Sequence, residues 1–326
     1  MNIKITGKLL AILFVPLLVI PLVSVGCQEE EQLPPPSSPS ALSSTLVPNT
    51  NLDVYIYIKQ DDPTAVPADM IDAPFDIVAE SLAIWGIPTQ DDFAFGGSLT
   101  LTSADDASTI YAQIAHQQEI WTTLSGNTIY FLEGSGIAAE TLKTSISKND
   151  FKYYDDEESL RVAAALPTGG DTKLAAVAIA KPGEALISRI TKGADAEALR
   201  LINVVLKVAR LNRVAAGLYC PHQIDVAEIA RVIEGDGSIL QSDLGVLIVA
   251  KFSLPGFVVQ PIAKRFLAAY DYPETTVGEL TFYKGFLDTD GDKAIPVLVR
   301  IEGNCIFIAI SGQESYAQTL ITSVNR

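Results

Sequence analysis

Histidine is nearly missing from this chain: His116 and His222 are the two among 326 residues, and cysteine adds three. Zinc sites draw on three or four such side chains, so most His-rich and Cys-rich metal centres are excluded. Basic residues are short as well, 23 Lys and Arg against 39 Asp and Glu, a formal charge of −16. A surface this acidic repels phosphate backbones, so nucleic acid is not expected as a partner. No Gly-x-Ser-x-Gly elbow occurs, and Gly235-Asp236-Gly237 lacks the third glycine of a dinucleotide loop. What the chain does have is a 48% hydrophobic composition and a length of roughly two domains, enough for a sizeable core.

The apolar residues are unevenly spread. Met1 to Lys8 carries Lys4 and Lys8 and no acid. Leu9 to Val23 is an almost unbroken apolar run, interrupted by Pro16 and Pro21, and Ser24-Val25-Gly26 leads to Cys27. A positive flank, an apolar stretch of this length and small residues before a cut site describe an export signal, too short and too proline-broken for a spanning helix. Gly26-Cys27 resembles the lipobox of bacterial lipoproteins, with Ser24 standing where that class usually has an aliphatic residue. The resemblance covers the first 27 residues alone. It implies cleavage before Cys27, lipid attachment to the Cys27 thiol and a place on the extracytoplasmic face of the cell envelope.

Residues 28–49 fit that expectation. Glu29-Glu30-Glu31 is followed by Pro34, Pro35, Pro36 and a serine-rich stretch, a composition that forms an extended, semi-rigid spacer and no core.

The remainder predicts an α+β body, a duplicated unit of mostly antiparallel sheet with helices packed on it. LDVYIYIK (Leu52–Lys59) matches LGVLIVAK (Leu244–Lys251). Each precedes a segment read as an amphipathic helix, Ile77–Pro88 in the first and Ile262–Pro273 in the second. GSLT (Gly97–Thr100) then matches GELT (Gly278–Thr281), and Gly126–Leu132 matches Gly303–Ala309. Both close on TLKTSI and TLITSV at a helix end. The organisation this predicts is a signal over 1–26, a lipid-anchored linker over 27–49 and a first unit over 50–150. An intervening α+β segment over 151–242 and a second unit over 243–326 complete it. Ser103 with Asp106 predicts a capped helix from Asp105, followed by a hairpin about Ser125-Gly126-Asn127.

Sites with chemistry are few. Ser145-Ile146-Ser147-Lys148 has Ser-x-x-Lys spacing at a helix end, where a penicillin-binding enzyme needs a helix start. Cys220 and Cys305 are either free buried thiols or a disulfide pair, since an exported chain meets oxidising conditions. Asp288, Asp290 and Asp292 are either a solvated hairpin tip or an unusual Ca²⁺ site; the EF-hand glycine and glutamate positions fail. Tyr55, Tyr57, Tyr153 and Tyr154 are either ordinary sheet residues or a flat sugar- or peptide-binding face. Asp155 to Glu158 reads as a solvated charge run. No cofactor is implied. The function expected is that of a lipid-anchored, extracytoplasmic, non-catalytic binding or assembly module, held to the membrane by its lipid and meeting a protein or small ligand. The alternatives are a transporter's solute-binding lipoprotein or an extracytoplasmic hydrolase.

Overall fold

Alternation and turn chemistry build the first elements. The structure, a computed structural model, describes residues 41–59, 65–66, 77–88, 93–115, 120–169, 172–183, 210–220, 244–269, 271–277, 280–287 and 294–324. Strand β1 (Leu46–Pro48) is followed by β2 (Val54–Lys59), β3 (Ala65–Val66), β4 (Ile77–Pro88) and β5 (Phe93–Leu101). Helix α1 (Ala104–Ile114) starts where Ser103 accepts from the Asp106 N–H, as the cap signal predicts. The expected hairpin follows as β6 (Trp121–Ser125) and β7 (Thr128–Glu133), its turn opened by Gly126 at φ +60°.

Helix α2 (Gly136–Ser147), β8 (Phe151–Tyr153), α3 (Glu157–Ala164), β9 (Lys173–Ala180) and β10 (Leu211–Cys220) come next. The chain then gives β11 (Gly245–Phe252), α4 (Gly256–Ala269), β12 (Glu274–Val277) and β13 (Leu280–Leu287). It closes with β14 (Ile295–Glu302), β15 (Cys305–Ser311) and α5 (Glu314–Thr322).

Most strands join one sheet in the order β12-β13-β14-β15-β11-β10-β9-β2-β4-β5-β7-β6, with β3 on β4, while β1 and β8 form a separate pair. Every pairing among the described residues is antiparallel. The α+β class and the antiparallel sheet are therefore as expected. The central strands are apolar through their middle, because both faces are covered there, and carry charged residues toward their ends. Val54, Ile56, Ile248 and Ile308 share one core with Val259, Ala263 and Phe266 of α4. Tyr55, Trp85 and Val249 share the other with Leu142 of α2, Val162 of α3 and Leu320 of α5. Helix α1 packs Ala107 and Ile110 on Leu101 and Ile129.

The expectation of a helix over Ile77–Pro88 is overturned. These residues are β4, paired on both sides with β2 and β5. The register shifts between Ala79 and Ser81, so a bulge puts Ala79 and Ile84 on the face toward one set of helices and Ala83 and Trp85 on the other. A strand buried on both faces and broken by a bulge has no period of two to read. The segment matched to it falls largely in α4, so these two stretches are not equivalent.

Two hairpins share a register, although β12 and β13 stand between α4 and β14 and have no counterpart among the described residues between α1 and β6. In β5-α1-β6-β7-α2, Thr100 faces Thr128 and Ser125 faces Thr128. In the run from β11 through α4, β14 and β15 to α5, Lys251 faces Cys305 and Glu302 faces Cys305. Gly126 and Gly303 open the two hairpins at φ +60° and +54°. Gly256, the first residue of α4, lies against the second of these turns, and a Cβ there would come within 2.5 Å of the Gly303 carbonyl carbon.

Candidate functional site

Antiparallel order gathers charge at one end of the sheet. Neighbours β2, β9, β10 and β11 alternate in direction, so the residue before β2, the residue after β9, the start of β10 and the end of β11 meet. These are Asp53, Lys181, Asn212 with Arg213, and Lys251. The first turn of α3 lies over them. Lys181 Nζ is 2.7 Å from an Asp156 carboxylate oxygen, and Arg213 Nε is 3.4 Å from the other. Glu158 receives Asn212 Nδ2 at 2.7 Å and Lys251 Nζ at 3.1 Å, with Arg213 3.8 Å away. Asp156 also caps α3, accepting from the Ser159 N–H at 2.8 Å.

These contacts set the protonation states. Burial pushes the Asp156 carboxyl up, but hydrogen bonds from Lys181 and Ser159, with the Arg213 charge, outweigh it and hold it well below the usual carboxylate range. Glu158 is likewise pushed up by burial and brought down overall by Lys251, Asn212 and Arg213. At Asp53 burial wins over Lys181 and Arg213, and its pKa is raised. Asp156 and Glu158 are thus ionised and occupied by internal partners, and neither is poised as a general acid near neutral pH. The cluster fastens α3 across three strands, β9, β10 and β11.

A second site corrects the linker expected over 27–49: residues 41–49 belong to the body, because Leu42 and Val47 are apolar enough to enter the second core and Leu46–Pro48 pairs as a strand. Leu42 and Val47 are buried, and Thr45 Oγ1 donates to the Leu42 carbonyl at 2.7 Å. The Tyr55 hydroxyl donates to Thr45 Oγ1 at 2.6 Å, and the Tyr154 N–H donates to the Thr45 carbonyl at 3.2 Å. Strand β1 pairs with β8 in the register Leu46 to Tyr153 and Pro48 to Phe151. The Tyr55 and Tyr154 rings pack 5.1 Å apart beneath this joint. Burial removes both phenols from ordinary titration, Tyr154 pushed up to about 12.

The tyrosines therefore do not form a common binding face. Tyr55 and Tyr154 are buried, Tyr57 is half-buried and Tyr153 is 63% exposed. Alternation in β2 puts Tyr55 in the second core rather than in water, because that face is covered too.

Of the two alternatives for Cys220 and Cys305, the structure has buried thiols not joined by a disulfide. Cys220 ends β10 next to the Tyr219–Gly245 pair, whereas Cys305 faces Lys251 at the opposite end of β11. Nearly the length of a strand separates them, far beyond the roughly 7 Å Cα–Cα limit for a disulfide. Burial pushes the Cys305 thiol up to about 12.

Ser145 and Ser147 close α2 and Lys148 is its C-cap, with Ser145 buried in the second core's wall. That is a helix end, as the sequence indicates. The Asp155–Glu158 run is only half solvated: Asp155 and Glu157 side chains are 68% and 85% exposed, while Asp156 at 18% belongs to the charge cluster. Sequence reasoning missed Lys181, Arg213 and Lys251, whose one local signal is a charge at the boundary of an apolar strand. Cys27, Asp288, Asp290, Asp292, His116 and His222 lie outside the described residues. Among the described residues no group of three or more His, Cys, Asp or Glu side chains is arranged to hold a metal, and no helix is long and apolar enough to cross a membrane.

No family model matches the chain, and no curated protein matches it. Two solved structures are similar to it, both crystal forms of TP0453. Form III is 11% identical with a TM-score of 0.32, covering 85% of this chain and 96% of that one. Form I is also 11% identical, with a TM-score of 0.33 and coverage of 86% and 100%. A likeness this low fixes neither fold nor function.

Proposed function

We propose that this protein is a lipid-anchored module of the extracytoplasmic cell envelope that binds or assembles and performs no catalysis of its own. The observation that supports the reading is the joint at Leu42–Pro48. The chain that follows the Pro/Ser spacer is fastened at once by a buried Leu42, the Tyr55–Thr45 hydrogen bond and the β1–β8 ladder. A tether needs such an end, because its pull must pass into the body rather than fray the first strand. The other end is the Cys27 thiol, acylated before the signal is cut behind Gly26.

The body is a duplicated unit in this reading. Its frame is β5-α1-β6-β7-α2 against β11-α4-β14-β15-α5, with β12 and β13 inserted in the second copy. Equal hairpin registers and the paired Gly-Asn turns support this frame. This frame replaces two of the sequence matches: β11 stands against β5 rather than β2, and Gly97–Thr100 of β5 has no counterpart in Gly278–Thr281.

Replacing Cys27 by Ser tests the anchor. The variant is released from the membrane fraction or stalls with its signal attached. Unchanged membrane retention together with unchanged size refutes lipidation.

A further inference from the structure

The two ends of the long sheet are built differently. Strand β12 has four residues, starts with Glu274 and follows Pro273, a short edge blunted by charge and proline. Strand β6, the opposite edge, reads Trp-Thr-Thr-Leu-Ser, with no charge and no proline, and among the described residues it pairs with β7 alone.

Hairpin geometry says which groups face outward. Across a two-residue turn the flanking residues bond to each other and the pattern alternates from there. Ser125 faces Thr128, so Ser125, Thr123 and Trp121 direct their main-chain groups to β7, and Thr122 and Leu124 direct theirs away from it. The same offset in the second hairpin sends the main-chain groups of Val299 outward, and there β13 fills the edge antiparallel, with Tyr283 opposite Val299. Thr122 is the counterpart of Val299. The equivalent edge in this molecule therefore already accepts an added antiparallel strand.

We propose that β6 pairs antiparallel with β6 of a second copy of this chain, about a two-fold axis through Thr123. In that register Thr122 exchanges main-chain hydrogen bonds with Leu124 of the other copy, Trp121 lies opposite Ser125, and Thr123 lies opposite itself. The strand is complementary to itself in this sense, and no like charges oppose each other. That matters for a chain with 39 acidic and 23 basic residues, whose copies repel wherever charged faces meet. An edge free of charge is where two copies approach at least cost, and the pairing strengthens as salt screens the remaining repulsion. The inference names a partner for the assembly reading above and holds whether or not Cys27 carries a lipid.

Cysteine cross-linking in the full-length chain tests it. The central Thr123 pair is a non-hydrogen-bonded one with a Cα separation of about 4.5 Å, within disulfide range. With Thr123→Cys, mild oxidation gives a dimer-sized band that a reductant removes and that grows with ionic strength. Trp121→Cys alone and Ser125→Cys alone give no such band, and co-expression of the two restores it. Thr122→Pro removes an outward N–H while sparing the β7 ladder, and Thr122→Lys sets like charges near the axis; each abolishes the Thr123→Cys dimer. Monomer alone from Thr123→Cys, equal dimer yield at all three positions, a linked band of another size, or a dimer indifferent to both Thr122 changes overturns the proposal. The Cys27→Ser assay reads anchoring, so failure of one leaves the other standing.

Discussion

Asn127 and Asn304 hold equivalent corners of the sheet. The side-chain amide of each donates to the main-chain carbonyl of the last residue in the neighbouring strand, Asn127 to Leu101 at 2.5 Å and Asn304 to Phe252 at 2.7 Å. The same two residues return the contact, with the Leu101 N–H on the Asn127 carbonyl at 2.9 Å and the Phe252 N–H on the Asn304 carbonyl at 3.0 Å. Each asparagine ties a hairpin tip to the strand that launches the preceding helix.

Replacing Asn304 by Ala leaves the Phe252 carbonyl buried with one partner fewer. The expected cost is about 1–2 kcal/mol, read as a lower midpoint in urea unfolding. Asn127→Ala costs less, because Asn127 is half-buried and water replaces its amide. Equal and negligible effects at both positions contradict the clamp.

The charge cluster predicts opposite signs for two neighbouring carboxylates. Asp156 and Glu158 titrate lower in the folded chain than their ordinary values of 3.8 and 4.5. Their stabilisation is therefore complete above those values and fades as the pH falls below them. Asp156→Asn keeps the helix cap, loses the ion pairs to Lys181 and Arg213, and lowers neutral-pH stability by about 1–2 kcal/mol. It also flattens the acid limb of the stability profile. Asp53 is shifted upward, so its ionised form is disfavoured in the fold, and Asp53→Asn leaves neutral-pH stability unchanged or raises it. Thermal unfolding across a pH series checks both; a loss at Asp53→Asn as large as at Asp156→Asn contradicts the assignment.

Tyr55→Phe removes the hydroxyl that holds Thr45 and keeps the ring against Tyr154. Global stability drops by about 1 kcal/mol, and the joint at 42–48 opens more often. Limited proteolysis then cuts within 42–48 faster than in the unsubstituted chain, while cleavage in the spacer before residue 41 is unchanged.

The two body cysteines remain unlinked even in an oxidising compartment. Cys220 and Cys305 alkylate only after denaturation, and the intact mass of the body is the same with and without reductant. A two-proton mass difference contradicts the fold as described.

Local chemistry made much of the fold legible. Ser103 with Asp106 marks a helix start and Gly126-Asn127 a hairpin, because each signal lies within a few residues. Ile77–Pro88 was illegible for a physical reason. Its bulge and its two covered faces erase alternation, and what is left resembles helical spacing. The charge cluster was hidden for another reason. Asp53, Asp156, Lys181, Arg213 and Lys251 come from five elements far apart in sequence, and strand order alone brings them together.

Intact mass spectrometry of the protein extracted from its native membrane tests the central claim most directly. The account predicts a chain that begins at Cys27 and carries the added mass of acyl chains on that residue. A chain that begins at Met1 or at any residue other than Cys27, without acyl mass, contradicts it.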